Sequence, residues 1–207
     1  MPKLQSCTDC PRLVGFLDDV RQQHSGYHCG PVLPFGDPLA RLLIVGLAPG
    51  LHGANRTGRP FTGDYAGILL YETLHYFGFA SGPESKNRDD GLELRDCRIT
   101  NAVKCLPPAN KPEPAEVRTC NRHLVAELAD APEAKIVLAL GQIAHKAVLM
   151  ASGMKQGAYP FAHAARHVLP DGRVLFDSYH CSRYNTQTRR LTKADFHDVF
   201  QAIRAEL

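Results

Sequence analysis

RLLIVGLAPGLHGANRTGRPFTGDYAGILLYETLHYFG, residues 41–78, holds an apolar run, a loop crowded with glycine and proline, and a second apolar run of different period. The first run, residues 41–46 (RLLIVG), is continuous rather than alternating, the pattern of a strand buried on both faces. The second, residues 65–78 (YAGILLYETLHYFG), sets Ile68, Leu69, Leu70 and Leu74 at helical spacing and predicts a helix with those residues inward. Strand, loop and helix in this order make one βα unit. A doubly buried strand of this kind belongs to a parallel sheet covered by helices.

The same alternation continues along the chain. Residues 97–103 (CRITNAV) predict a second strand, and a helix opens near Pro114, a favourable first-turn residue, with Val117, Leu124, Val125 and Leu128 on its buried side. Residues 135–140 (KIVLAL) predict a third strand and 142–151 (QIAHKAVLMA) its helix. Pro170-Asp171-Gly172 is a turn leading from HVL into a fourth strand over 173–178. The last helix starts at a capping box of Thr192 and Asp195 and carries Phe196, Val199, Phe200 and Ile203 at helical spacing. The fold class predicted is α/β: a single domain over residues 1–207, with a central, mostly parallel four-stranded sheet and helices on both faces. Residues 80–96 (ASGPESKNRDDGLELRD) read as a surface excursion.

Apolar content of 44% and charged content of 22% are ordinary for a folded protein. No apolar run approaches the roughly 18 residues of a membrane span, and MPKLQSCTDC lacks the apolar core of a signal peptide, so the expectation is a cytoplasmic protein with no membrane partner. Seven cysteines without a secretion signal argue against a disulfide framework. Cys7 and Cys10 form a C-x2-C pair, while Cys105 and Cys120, separated by fourteen residues, bracket the Pro-rich stretch LPPANKPEP. Four such thiolates suit tetrahedral zinc or a four-iron four-sulfur cluster. Buried free cysteines are the plainer reading, and Cys29 is an alternative member of the set.

Ligands of a parallel sheet bind beyond the carboxyl ends of its strands, which here carry the loop from Gly46, Asn101, Gly141-Gln142 and Ser178 to Ser182. The loop 46–64 matches neither phosphate-cradling glycine pattern, which argues against a nucleotide cofactor. Its Arg56 and Arg59 can reach a phosphodiester, and Phe61 offers a stacking face. Asp64, the loop's single carboxylate, reads as a functional group or as the N-cap of the helix from Tyr65, and one role does not exclude the other. Between His180 and Lys193 there is no acidic residue. Arg183, Tyr184, Asn185, Arg189 and Arg190 in that stretch suit a nucleic-acid backbone, with a solvated basic turn as the alternative. His180 by itself is more often read as a hydrogen-bonded structural histidine.

GLAPGLHGANRTGRPFTGD, ITNAVKC and SYHCSRYNTQTRRLT, taken together and in this order, resemble the three signature regions of the family 5 uracil-DNA glycosylases, the UDGb branch of that superfamily. The resemblance spans nearly the whole chain and implies an iron-sulfur enzyme that removes uracil from DNA and so initiates base excision repair. It assigns Cys7, Cys10, Cys105 and Cys120 to a 4Fe-4S cluster, the first two from an N-terminal segment over 1–35. It makes Gly46, Leu47, Ala48, Pro49, Gly50 and Phe61 the wall of a base pocket, with Phe61 stacked on the extruded base. Asp64 would position water or stabilise the sugar cation, Asn101 would contact base or water, and His180 would donate to the base oxygen. Ala48 stands where many superfamily members carry a catalytic polar residue, and Cys181 where the family usually has proline. No lysine nucleophile is evident, so the activity expected is monofunctional. The partner is double-stranded, or also single-stranded, DNA carrying uracil, hypoxanthine or xanthine, and the enzyme is expected to act as a monomer. The rival readings are a non-catalytic iron-sulfur protein that binds DNA or senses redox state, and a zinc-containing nucleotide-binding enzyme.

Overall fold

The structure, a computed structural model, describes residues 4–207. In chain order its elements are helix α1 (Pro11–Gln23), strands β1 (Phe35–Gly36) and β2 (Leu42–Gly46), helices α2 (Ala54–Thr57) and α3 (Tyr65–Tyr76), strand β3 (Cys97–Asn101), helix α4 (Pro114–Ala129), strand β4 (Ile136–Leu140), helix α5 (Gln142–Ala151), strands β5 (Arg166–Val168) and β6 (Val174–Ser178), and helices α6 (Arg183–Gln187) and α7 (Lys193–Glu206). Short 3-10 turns lie at Leu4–Ser6, Pro108–Asn110 and Gln156–Ala158.

The strands form one sheet in the order β1-β3-β2-β4-β6-β5. Its four central strands are parallel, as the continuous apolar runs require, and the two edges are antiparallel. The sheet thus has six strands where the sequence predicts four. The additions are edges of two and three residues, too short to leave a periodic signal, and β5 is the first arm of the hairpin expected around Pro170-Asp171-Gly172.

Alternation along β2 divides the core. Leu42 and Ile44 face a layer made by α3 and α7, where they meet Leu70, Leu74, Phe196 and Phe200. Leu43 and Val45 face the layer of α1, α4 and α5, with Leu13, Leu124, Ala144 and Val148. Two residues expected to be inward are not: Ile68 is 63% exposed and Val125 45%. Asp64 caps α3 and so sets its rotational phase, which turns Tyr65 and Ile68 outward together. The stretch 80–96 is also more than an excursion, since Leu92 and Leu94 are buried and Asp90 forms an ion pair with the loop's Arg59.

Chain order reverses across β2: β3 pairs on one side of it and β4 on the other. The carboxyl ends on the two sides of such a switch point open a crevice, here between the loop after β2 and Gly141 after β4. The register places Gly46 beside Asn101 and Leu140 beside Ser178, so the four strand ends are level.

Candidate active site

A cleft of about 840 Å³ opens at those strand ends. Leu47, Ala48, Gly50, Phe61, Asp64, Asn101 and His180 all contribute to its lining. Beyond the β2–β3 ladder, Ala102 N–H donates to the Gly46 carbonyl and Val103 N–H to that of Leu47, at 2.9 and 3.0 Å, so the paired backbone carries the loop's start and Asn101 as one unit. A Cβ on Gly46 would run into Asn101 Oδ1 and the Phe61 ring, so only glycine permits this approach. Gly46 and Pro49, expected in the pocket wall, are buried and do not line the cleft.

Phe61 is 5% exposed and holds a left-handed backbone, φ 53°, which costs a non-glycine residue free energy and persists only when its surroundings fix it. The fixing contacts are local: Tyr71 Oη donates to the Pro60 carbonyl at 2.8 Å, and a Cβ on Gly67 would overlap the Phe61 carbonyl, so α3 presses directly against the loop. The Phe61 ring stacks against His180, centroids 5.8 Å apart and planes 26° from parallel.

Asp64 is the N-cap of α3. Its Oδ1 accepts the Gly67 N–H at 2.9 Å, while Oδ2 lies beside Gly53 and Gly50, where a side chain on Gly53 would collide with the carboxylate. Burial raises the carboxyl above its ordinary range, opposed by the Gly67 and Ala66 N–H groups. His180 is pushed down to about 4 by burial, so at neutral pH it is an uncharged imidazole. Asn101 is 3% exposed, and its Oδ1 has no protein partner among the described residues. Cys181, in the position following His180, is wholly buried, and burial, aided by the charge of Asp64, raises its thiol. The turn there is held by Asn185, whose Nδ2 donates to the His180 carbonyl at 2.8 Å, a tie that serves in place of a ring-locked φ.

The basic residues divide. Arg183 and Arg190 line the cleft rim, and Arg190 lies over the Tyr179 ring, 4.4 Å from its centroid. Arg56, Tyr184 and Arg189 are exposed outside the lining, Tyr184 at 70%. Arg59 corrects the sequence reading: it is 6% exposed, reaches Asp90 and Ser85 at 2.6 and 3.0 Å, and also donates to the Arg88 carbonyl. It is a buried brace joining the loop to 80–96 and presents no charge to a phosphodiester. Sequence reasoning overlooked Phe161, Ala162, Asn110 and Ile143, which also line the cleft. Asn110 carried a faint signal, standing in the Pro-rich stretch between two of the cysteines.

Cys7, Cys10, Cys105 and Cys120 surround a second, smaller cavity with Leu13, Val103 and His123. The C-x2-C pair immediately precedes α1, Cys105 follows β3, and Cys120 lies in α4. Lys104 N–H donates to Cys120 Sγ at 3.3 Å. Burial pushes the Cys105 thiol up to about 12 and Cys120 to about 11. Cys29 is buried outside this set, its sulfur facing Asn55 Nδ2 at 3.7 Å.

A sequence model of the Uracil DNA glycosylase superfamily matches residues 33–204. The chain belongs to this superfamily. Among its relatives, a type-5 uracil-DNA glycosylase of Thermus thermophilus is 50% identical over 201 residues, covering 95% of the chain and 91% of the relative. One of Pyrobaculum aerophilum is 40% identical over 208 residues, covering 99% and 90%. A type-4 uracil-DNA glycosylase of Sulfurisphaera tokodaii is more distant, 29% identical over 175 residues. The type-5 uracil-DNA glycosylases are therefore the branch this chain falls in. Among the described residues no helix is long and apolar enough to cross a membrane.

Proposed function

We propose that the chain is a monofunctional DNA glycosylase that hydrolyses the N-glycosidic bond of uracil in DNA. The observation that carries the reading is the convergence of Asp64, the unpartnered Asn101 Oδ1 and an uncharged His180 on Phe61 in one cleft. A base within a duplex is inaccessible, so the nucleotide must be extruded, at a cost of a few kcal/mol that is least for a mispaired base. Phe61 offers the extruded ring a stacking face, and Asn101 offers an imide N–H an acceptor that no protein group uses. Cleavage builds positive charge on the sugar and negative charge on the leaving base, as in glycoside hydrolysis. The Asp64 carboxylate, whose Oδ2 faces Gly50 and Gly53, opposes the first or orients water toward it. His180 donates to the base oxygen, and as a neutral imidazole it does so without delivering a full proton. Hypoxanthine and xanthine belong to the same substrate class, since the cleft is larger than a pyrimidine requires. The DNA is double-stranded, and the enzyme acts as a monomer.

The four cysteines hold a 4Fe-4S cluster in this reading. Thiolates bound to one zinc at 2.3 Å would lie about 3.8 Å apart. Among the described residues no three of these sulfurs lie within 4.8 Å of one another, a spread that suits ligands around a larger group. Raised thiol pKa values in an apolar cavity mean that the sulfurs need a cation to ionise against, which the cluster supplies when bound. The cluster's part is structural, bracing the loop 106–113 that brings Asn110 to the cleft.

The test is release of abasic sites from duplexes holding one uracil, with Asp64→Asn in parallel. Wild type gives product and Asp64→Asn loses at least ~100-fold in rate with DNA binding kept, as expected when one preorganised group opposing developing charge is removed. A variant as active as wild type would refute the role of Asp64. No product from wild type, with DNA still bound, would favour a non-catalytic iron-sulfur DNA-binding protein.

A further inference from the structure

One buried titratable group behind the cleft has no part in this chemistry. His145, on α5, is 2% exposed and both its ring nitrogens are engaged, Nδ1 with Asp177 Oδ1 at 2.8 Å and Nε2 with the Tyr159 carbonyl oxygen at 2.9 Å. Both contacts are within hydrogen-bond distance, so the ring is held from two sides. With His167, this group forms a set of donors within 4.8 Å of one another that resembles a metal site. The 2.8 Å contact is instead a direct hydrogen bond, shorter than the roughly 3.3 Å between two ligands of a tetrahedral ion. The arrangement is a clamp between the buried Asp177 of β6 and the segment that begins at Tyr159.

That segment is a wall of the cleft. Residues 159–165 contain no helix or strand, yet Phe161 and Ala162 line the same space as Phe61 and His180. Phe161 packs edge-on against His145, centroids 5.6 Å apart, and tilted against Tyr179 at 6.1 Å. At the far end Ala164 N–H donates to the Asp177 carbonyl, and Asp177 N–H to that of Ala165, both at 2.9 Å. Both tethers thus lead to Asp177, one through its carboxylate and His145, the other through its backbone.

We propose that Phe161 is a specificity-determining residue of the base pocket and that His145 is the positioning residue that sets it. The proposal rests on the glycosylase reading above. Phe161 supplies an aromatic surface whose contribution grows with the area laid against it, so a bicyclic deaminated purine depends on it more than uracil does.

The test uses cluster-loaded wild type, Phe161→Ala, Phe161→Leu, His145→Ala and the double alanine variant on duplexes with a single uracil or hypoxanthine. Phe161→Ala lowers kcat/KM on uracil by roughly three- to tenfold and on hypoxanthine by more, with the loss in KM rather than kcat. Phe161→Leu recovers part of it. His145→Ala repeats the pattern, and the double variant is no worse than the poorer single one because both act through one wall. Additive losses, or equal proportional losses on the two bases, overturn the proposal. Should His145→Ala fail to fold, the Phe161 variants decide alone, and wild-type rates on both bases refute it. A wild type that releases uracil but not hypoxanthine overturns the argument from base size, whereas one that releases neither refutes the glycosylase reading instead.

Discussion

His180 and Asp64 are partly buried groups whose shifts have opposite consequences for pH. For His180, folded and unfolded chains are both neutral above the ordinary imidazole value of about 6.5; below it the unfolded chain binds a proton that the folded chain refuses until about 4. Its contribution to stability is thus present above about pH 6.5 and is lost as pH falls through that window. Asp64 runs the other way: its folded value is raised, so the folded chain keeps a proton the unfolded chain has already lost, and that contribution disappears as pH rises through the raised value. In the proposed mechanism Asp64 acts as a carboxylate and His180 as a neutral imidazole. The profile of kcat/KM should therefore show no inflection near pH 6.5 belonging to His180, and its acid limb should belong to Asp64. An inflection at about 6.5 in wild type that vanishes in His180→Asn would show instead that the imidazole titrates as it does in water.

At the scale of elements, what was legible followed from local chemistry. The β2–loop–α3 unit could be read because an unbroken apolar run, a glycine-rich loop and a capping carboxylate each leave a signature within a few residues. The helix α1 left one as well, with Pro11 at its first position and Leu13, Leu17 and Val20 buried at helical spacing, but the neighbouring cysteines drew the reading of that segment toward metal binding. Arg59 could not be read correctly, because its partner Asp90 lies 31 residues away in a stretch without periodicity. Phe161 failed for the same reason, since the His145 it packs against and that histidine's partner Asp177 lie on α5 and β6 and meet only in the folded chain. The segment from Leu106 to Glu113 depends on tertiary contact too: Ala109 and Asn110 are both left-handed, φ 51° and 55°, between Cys105 at one end and α4, with Cys120, at the other. Replacing Cys120 with Ala should abolish visible absorbance and weaken DNA affinity through this loop while leaving the sheet folded. The check is absorbance and far-ultraviolet circular dichroism beside a binding isotherm; a bleached variant that binds DNA as tightly as wild type would separate the proposed cluster from DNA binding.

For the whole molecule, the formal net charge of +3 is too small to draw in DNA by itself, so the arrangement of charge must do so. Of the cations in the C-terminal basic stretch, Lys193 is paired with Glu72 at 2.6 Å, whereas Arg183, Arg189 and Arg190 form no ion pair among the described residues. Arg183 and Arg190 stand on the cleft rim, and Arg56 is exposed on the loop that also delivers Asp64. A backbone laid across the cleft would meet these arginines while the lesion enters between them. Each phosphate contact releases counterions, so the logarithm of the binding constant falls with that of salt concentration, and losing one contact reduces the slope by about 1. Arg183→Ala and Arg190→Ala should each flatten the slope by about that amount on undamaged duplex. Arg59→Ala should leave the slope unchanged and instead lower the melting temperature, because it strands the Asp90 carboxylate, which the arginine and three backbone N–H groups now hold down to about 2. Slopes measured from titrations at several salt concentrations decide the matter: a reduced slope for Arg59→Ala with unchanged melting would return that residue to the DNA interface, and unaltered slopes for both rim arginines would move the backbone's path away from the 183–190 segment.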